Sequence, residues 1–385
     1  MQTKSLWEIC NIITWSTPLT KYPEYYWGDF LRACPADLDQ WNIVIQTKKT
    51  LSEKWIKEGK IRIVPKWSVM VCCIWTIGKC AIASQDMATN QQINSFVPKK
   101  DILDSLYLLY SIKFHENVFQ TKATSTTVPI LNKSQCADIN IPLPSLTTQQ
   151  AIAAKLDAIQ TLIDDKKQSI AKTDELAKSI FIDMFGDPVT NEKGWEVKKL
   201  GEVNEITSSK RIFQNEYVSW WIPFYRTKEI VELSKWEKIS LELYISEERY
   251  KEIKDNFSIP KVGDILISAV WTIWITRIVN HNEPFYFKDG NLLWIKKSDQ
   301  IDPNYLSFYL STFLHSQKET IVAWSGYNAL TIQNLKKLEI PLPPLPLQQQ
   351  FAAAISQLQQ VQDDNKLALA KLEELFAATM QECFS

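Results

Sequence analysis

Two stretches of this chain repeat apolar residues at three- and four-residue steps for nearly forty positions, the pattern of a long helix with one buried stripe. In the first, Ile152, Ile159, Ile163, Ile170 and Ala177 share a face; in the second, Ile355, Leu358, Leu369, Leu372 and Phe376 do so, with polar Gln362 and Asn365 interrupting. Each begins in a proline-stiffened segment, IPLPSLTTQQ from Ile141 and IPLPPLPLQQ from Ile340. Thr147 and Gln150 have the spacing of a capping box, and Pro346 suits a first helical position, where a missing N–H costs nothing. Gly186, Asp187 and Pro188 predict the stop of the first helix. A helix from about Thr147 to Phe185 is roughly 58 Å long at 1.5 Å per residue.

The two stretches are copies of each other. Pro142/Pro341, Pro144/Pro343, Gln149/Gln348, Gln150/Gln349, Asp164/Asp363, Lys172/Lys371 and Leu176/Leu375 match in one ungapped register that ends at Phe185 and Phe384. The segments ahead of them repeat more loosely. LWEI from Leu6 corresponds to LGEV from Leu200, and VPKWSVMVCCIWTIG from Val64 to IPKVGDILISAVWTIW from Ile259, with one residue inserted. Val69–Ile74 and Ile265–Val270 predict strands, Leu103–Tyr110 and Tyr305–Phe313 helices. A repeat of this size sets the architecture. The expected fold class is α+β: mixed α/β domains at 1–140 and 188–339, separated by long helices at 141–187 and 340–385. Two helices paired with each other, or each lying on its own domain, both fit the stripes.

Composition adds exclusions. Of 385 residues, 45% are hydrophobic and 23% charged, the balance of a soluble globular protein, and no apolar run is long enough for a membrane span. The first residues lack the marks of a signal peptide, so a cytoplasmic location is expected. The seven cysteines form no CxxC pair and read as reduced thiols; the three histidines, His115, His281 and His315, stand apart, so no metal is expected. Net charge is −1, but unevenly spread: 16 basic and 12 acidic residues in 1–140, 20 and 20 in 188–339, 5 and 7 in 141–187, 2 and 5 in 340–385. Any attraction to phosphate must come from local faces of the two larger segments, since it decays over about 10 Å.

No catalytic constellation stands out. GxGxxG, P-loop and HExxH are missing, as are an NPPF-type adenine-methylation motif and a glycine-rich S-adenosylmethionine loop, so no cofactor is expected. Asp187-Pro188-Val189 reads as a helix stop and Asp164-Asp165 as a solvated helix face. For DNA, long basic and amide side chains on loops are the appropriate chemistry, Arg and Lys for phosphate or guanine, Asn and Gln for adenine. The candidates are Lys48, Lys49, Lys54, Gln91, Gln92 and Asn94 in the first segment, and Arg211, Arg226, Lys228, Arg277, Asn291 and Asn328 in the second. A single surface Lys or Arg is ordinarily just solvated; only the set carries weight.

The order of domains, with the IPLP and QQ motifs leading into long helices, resembles the DNA specificity subunits of type I restriction-modification systems over essentially the whole chain. IPFYRTKEI from Ile222, KTLSEKWIKEGKIRIVPKWS from Lys49 and LKKLEIPLPPL from Leu335 are similar to segments recurrent there. The resemblance implies two target-recognition domains, each reading half of a split site, and an antiparallel coiled coil as spacer. It implies double-stranded DNA, methylation subunits and restriction (translocase) subunits as partners, with catalysis left to those partners. A recognition half split from a single-chain restriction-methylation enzyme, and a structural coiled-coil adaptor, are the alternatives.

One oddity remains: 9 Gly against 15 Trp, where glycine ordinarily makes up about 7% of a chain. Within the repeat Trp7 stands opposite Gly201, Trp67 opposite Gly263 and Trp274 opposite Gly78. Trp15, Trp55, Trp75, Trp220, Trp221, Trp271 and Trp324 occupy places where the resembled family tends to have glycine. UGA codons meant as glycine but read as tryptophan explain this; Trp195 looks genuine. The alternative is real aromatic enrichment, with Trp271 and Trp274 stacking on bases.

Overall fold

Short β-rich runs of Val, Ile and Phe broken by Gly, Pro and Asn build the sheets. The computed structural model describes residues 2–15, 22–38, 42–58, 61–123, 128–234, 241–269, 275–312 and 330–385. The chain forms two compact units: Met1–Lys167 with Ala368–Ser385, and Gln168–Leu367.

In the first unit a five-stranded sheet runs in the order Cys10–Thr14, Ile93–Pro98, Val69–Cys72, Cys80–Ala83, Ile43–Val44. Val69, Met70, Val71 and Cys72 are all buried, because the sheet is covered on both faces. One face packs on the helix Ser105–Phe114 through Tyr107, Leu108 and Ile112; the other meets Ala33, Leu38, Val64 and Met87. A three-stranded sheet, Lys49–Leu51, Tyr26–Ala33, Ala88–Thr89, lies beside it. Thr3–Ser5 pairs antiparallel with Asn140–Pro142, which ties the chain's start to the segment ahead of the long helix.

The second unit repeats the plan. Its first sheet is ordered Ile206–Thr207, Leu292–Ile295, Ile265–Ser268, Thr276–Ile278, and Glu196–Lys199 pairs with Glu339–Leu342 as Thr3–Ser5 does with its partner. The helix Pro303–Thr312 stands where Ser105–Phe114 does in the first unit. A further sheet joins Tyr217–Val218, Tyr244–Ile245, Ile222–Tyr225 and Tyr286–Phe287.

The long helices are Leu146–Phe185 and Leu345–Phe384, 40 residues each, about 60 Å at 1.5 Å per residue. They run antiparallel within each unit. In the first unit Lys155 meets Glu382 at 3.4 Å and Lys167 meets Glu373 at 3.0 Å, over the apolar seam of Ala153, Leu156, Met380 and Phe384. In the second, Phe181 and Phe185 pack on Phe351. The two polar residues that interrupt the second stripe are bonded across the pair: Gln362 donates to Asp174 at 2.6 Å and Asn365 to Ser169 at 3.1 Å. Such polar contacts fix register.

The ends of the helices differ in detail from the sequence expectation. The hydroxyl that caps the first is Ser145, which accepts the Thr148 N–H at 3.2 Å; Thr147 and Gln150 are exposed and make no capping box. Leu345 is already helical, so Pro346 sits one residue inside the first turn, where a missing N–H is still free of cost. Gly186 ends the first helix at φ +77°, and Asp187 then accepts the Val189 N–H at 2.8 Å.

Candidate nucleic-acid interface

The strand Tyr26–Ala33 is the middle of its sheet, and this decides what gathers around it. Arg32 lies directly opposite Lys49 on the antiparallel side and beside Ala88 on the parallel side. Cross-strand partners share a face, so two cations are brought together, an arrangement that costs free energy unless an anion lies near. Thr47 closes the loop between the strands: its hydroxyl accepts the Arg32 N–H at 3.3 Å and donates to the Lys49 carbonyl at 2.7 Å. Asp37 holds the far side, accepting from Cys34 N at 2.8 Å and Lys48 N at 3.0 Å. After Thr89 the chain turns on Asn90, whose side chain accepts the Gln92 N–H at 3.1 Å, and the turn presents Gln91. The result is a cavity of about 460 Å³ whose walls include Tyr26, Trp27, Arg32, Lys49, Thr50 and Gln91, with no carboxylate among the described residues that line it. Two cations, an amide, a hydroxyl and two aromatic side chains around one hollow can take a phosphate and reach a base edge.

Of the candidates in the first segment, Lys49 and Gln91 are thus brought together. Lys48 is exposed on the adjoining loop. Lys54 is turned elsewhere, 3.6 Å from Glu24 and over the Tyr25 ring. Gln92 is half-buried and accepts from Asn90 at 3.0 Å. Asn94 does not face solvent: it lies in the interior strand Ile93–Pro98, 7% exposed, with its amide on the Cys136 sulfur, because this sheet is covered on both faces. Arg32, the most buried cation of the cavity at 6% exposed, was not foreseen; FLRA reads as plain strand, and the pairing partner that makes Arg32 notable is distant in sequence.

In the second unit three of the four candidate cations are held by carboxylates. Arg226 forks onto Glu229, itself 1% exposed, at 2.6 Å and reaches Glu242 at 2.9 Å. The hydrogen bond that Arg226 donates to Glu229 raises the guanidinium above its ordinary value, so Arg226 is first a scaffold cation that closes its own loop. Lys228 shares Glu242 at 3.0 Å, which raises the ammonium and, with Arg226, lowers the carboxyl. Arg211 pairs with Asp289 at 2.8 Å but stays 67% exposed. Arg277 is half-buried against the Leu233 carbonyl, and burial lowers its value. Asn291 is half-buried, with its carbonyl accepting from Ala269 at 2.9 Å. Asn328 lies outside the described residues, as do Trp271, Trp274 and Trp324.

Among the described residues no group of His, Cys, Asp and Glu is placed to hold a metal, and no helix is long and apolar enough to cross a membrane. His115 bonds the Ser111 carbonyl through Nδ1 at 2.8 Å, and His281 packs on Phe285.

In sequence the first glutamine of each QQ pair serves only as a marker of the repeat and of the family motif; its contacts are not legible there. Gln149 and Gln348 are fully buried. Gln149 donates to the carbonyls of Ile102 and Pro144, both at 2.9 Å, and accepts the Asp104 N–H at 3.0 Å. Gln348 donates to Pro343 at 2.7 Å and accepts from Asp302 N at 2.8 Å. Each clamps the IPLP turn to the start of the domain's own helix.

Comparison with known proteins adds the following. Residues 1–173 and 192–374 each match the type I restriction modification DNA specificity domain. The chain is 28% identical over 387 residues to the type I restriction enzyme MjaIX specificity subunit of Methanocaldococcus jannaschii, covering 92% of this chain and 86% of that one. Its fold is similar to the crystal structure of a type I restriction-modification S subunit from M. genitalium, with a TM-score of 0.67 at 14% identity over 100% of this chain and 96% of that one. It is also similar to a chain from a structure of type I restriction-modification complex assembly and conformational transition, with a TM-score of 0.55 at 19% identity over 100% and 97%.

Proposed function

The chain belongs to the type I restriction-modification DNA specificity family, and we propose from this that residues 1–140 and 188–339 are its two reading modules. It is the non-catalytic DNA-recognition subunit of such a complex, reads a bipartite target in double-stranded DNA, and directs the methylation and restriction subunits to it. The segments 141–187 and 340–385 are the helical spacer. The work is done in the cytoplasm, where the genome lies.

The observation that carries the site assignment is the opposed pair Arg32 and Lys49 over a cavity walled, among the described residues, by Gln91, Thr50 and Tyr26. A DNA phosphate lodged against the exposed Lys49, beside Arg32, leaves Gln91 facing a base edge. Lys48 adds to the phosphate contact; Arg211, its side chain 67% exposed, is the most exposed of the second module's candidate cations. Measured with the chain assembled on its methylation subunits, Lys49→Ala should weaken binding to every sequence alike and reduce the slope of log affinity against log salt by about 1. Gln91→Ala should relax preference in one half of the target. Unchanged affinity and slope for Lys49→Ala would remove this cavity from the interface.

A further inference from the structure

Glycine and tryptophan are at opposite ends of what a backbone at positive φ accepts. Glycine has no Cβ to collide with the neighbouring carbonyl, whereas a bulky side chain there is strained. Among the described residues five non-glycine positions have positive φ, and four of them are tryptophan: Trp27 at +65°, Trp67 at +70°, Trp75 at +66° and Trp221 at +127°. The fifth is Asn191, a residue type that tolerates this region. The four indoles are 78%, 44%, 66% and 50% exposed; their ring contacts are surface ones, Trp221 stacking on Trp220 at 4.2 Å and Lys66 lying over Trp67 at 5.4 Å. None is a fully buried core side chain.

The internal repeat supplies a direct control. Gly263 and Trp67 occupy the same turn. The Gly263 N–H donates to Val279 O at 2.8 Å and that of Trp67 to Ala83 O at 2.9 Å; the next residues, Asp264 and Ser68, donate to Lys261 O at 3.0 Å and Pro65 O at 3.1 Å. Ile265 pairs with Ile278 and Val69 with Ile82 in the strands that follow. Gly263 has φ +94°. One copy of the turn thus uses the residue the backbone demands, and the other has the residue least suited to it.

Other tryptophans behave as genuine ones. Trp294 is 2% exposed and its indole N–H donates to Asp264 at 2.9 Å. Trp195 donates to the Phe185 carbonyl at 2.8 Å. Trp55, one of those grouped with the misplaced set on sequence grounds, sits in the helix Glu53–Lys57 with its ring on Tyr25 at 4.9 Å, so it leaves the set.

We infer that the working polypeptide carries glycine at positions 27, 67, 75 and 221, and that tryptophan stands there through a codon read differently in the source organism. The consequence reaches the proposed DNA site. Trp27 is part of the wall of the cavity shared by Arg32, Lys49 and Gln91, and it precedes Gly28, where any Cβ would lie 2.5 Å from the Leu51 carbonyl oxygen. With glycine at 27 this rim becomes bare backbone, open to close approach by a DNA strand, with main-chain N–H groups able to face phosphate.

The test has two arms. Peptide mass spectrometry of the protein isolated from its source organism should find glycine at 27, 67, 75 and 221, and tryptophan at 195 and 294; tryptophan at 67 in that protein overturns the inference. In the recombinant chain, Trp67→Gly should raise the thermal midpoint by about 2–4 °C, Trp67→Ala should raise it less because its Cβ keeps the strain, and Trp195→Gly should lower it. Alanine matching glycine, or Trp67→Gly lowering the midpoint, also overturns it. Either failure leaves the DNA-reading assignment standing, since that rests on Arg32, Lys49 and Gln91.

Discussion

Replacing Gln149 by leucine keeps nearly the same volume and removes three hydrogen bonds at a fully buried site. What remains is one backbone N–H, on Asp104, and two carbonyls, on Ile102 and Pro144, each shorn of this partner. A carbonyl with a second lone pair can recover part of the loss; the N–H cannot. At 1–3 kcal/mol for each buried group left unmade, with partial recovery, the cost is about 3–5 kcal/mol. For a unit of this size a urea slope of about 2–3 kcal/mol per molar converts this to a midpoint lowered by about 1–2 M. Gln348→Leu removes two such bonds and should cost about 2–4 kcal/mol, less than its counterpart. Urea unfolding followed by tryptophan fluorescence measures both, with Trp294 and Trp195 as probes of the second unit. A loss under about 1 kcal/mol for Gln149→Leu, or a larger loss for Gln348→Leu, would refute the view that these amides clamp the IPLP turns.

Exchanging residues 188–339 for those of another specificity subunit should change one half of the methylated target; altered bases in both halves would contradict the modular assignment. Removing one heptad within Ala151–Ile180, with its antiparallel partner residues in the second helix, should shorten the unspecified gap by about 10 Å, or three base-pair steps; methylome sequencing showing the original gap in a folded, assembled complex would refute the spacer role. Burial pushes the Cys10 and Cys80 thiols up to about 12, and because the raised value favours the neutral thiol, little nucleophilic thiolate exists near neutral pH. Alkylation of the folded protein should therefore spare both until denaturant is added; rapid labelling of either would show that its site is open.

Periodicity carried the long helices because a single stripe sustained for ten turns has no competing interpretation: Ile159 and Ile163 are buried where the pattern put them. The stop at Gly186 was legible for the same reason, since left-handed backbone needs glycine. The capping residue was not. Ser145 and Thr147 are two steps apart with similar chemistry, and only the path of the Pro144 turn decides between them. The candidate site was less legible still. Lys49 and Gln91 were named for residue type, but what makes them a site is the strand Tyr26–Ala33, which sets Arg32 between distant parts of the chain. Asn94 failed because an amide next to Gln91 and Gln92 looks like loop in sequence, and the strand begins at Ile93.

The two copies diverge in a way that bears on what each reads. Their scaffolds share several bonds. Tyr107 donates to Pro142 O at 2.9 Å and Tyr305 to Pro341 O at 3.0 Å; the Leu6 N–H meets Ile139 O at 2.9 Å and that of Leu200 meets Leu338 O at 2.8 Å; Gln149 and Gln348 close equivalent turns. The basic loops share nothing comparable. The first unit opposes Arg32 to Lys49 around a cavity with no carboxylate among its described lining residues, whereas the second ties Arg226 and Lys228 to Glu229 and Glu242. Residues that hold the fold have been kept alike while those facing outward differ in charge balance. Two like scaffolds with unlike faces cannot read a symmetric site, because a palindrome presents the same groups to both. The target expected from this chain is therefore asymmetric, with different bases in its two halves, and the half read by the first unit should show the steeper salt dependence when contacts are removed unit by unit.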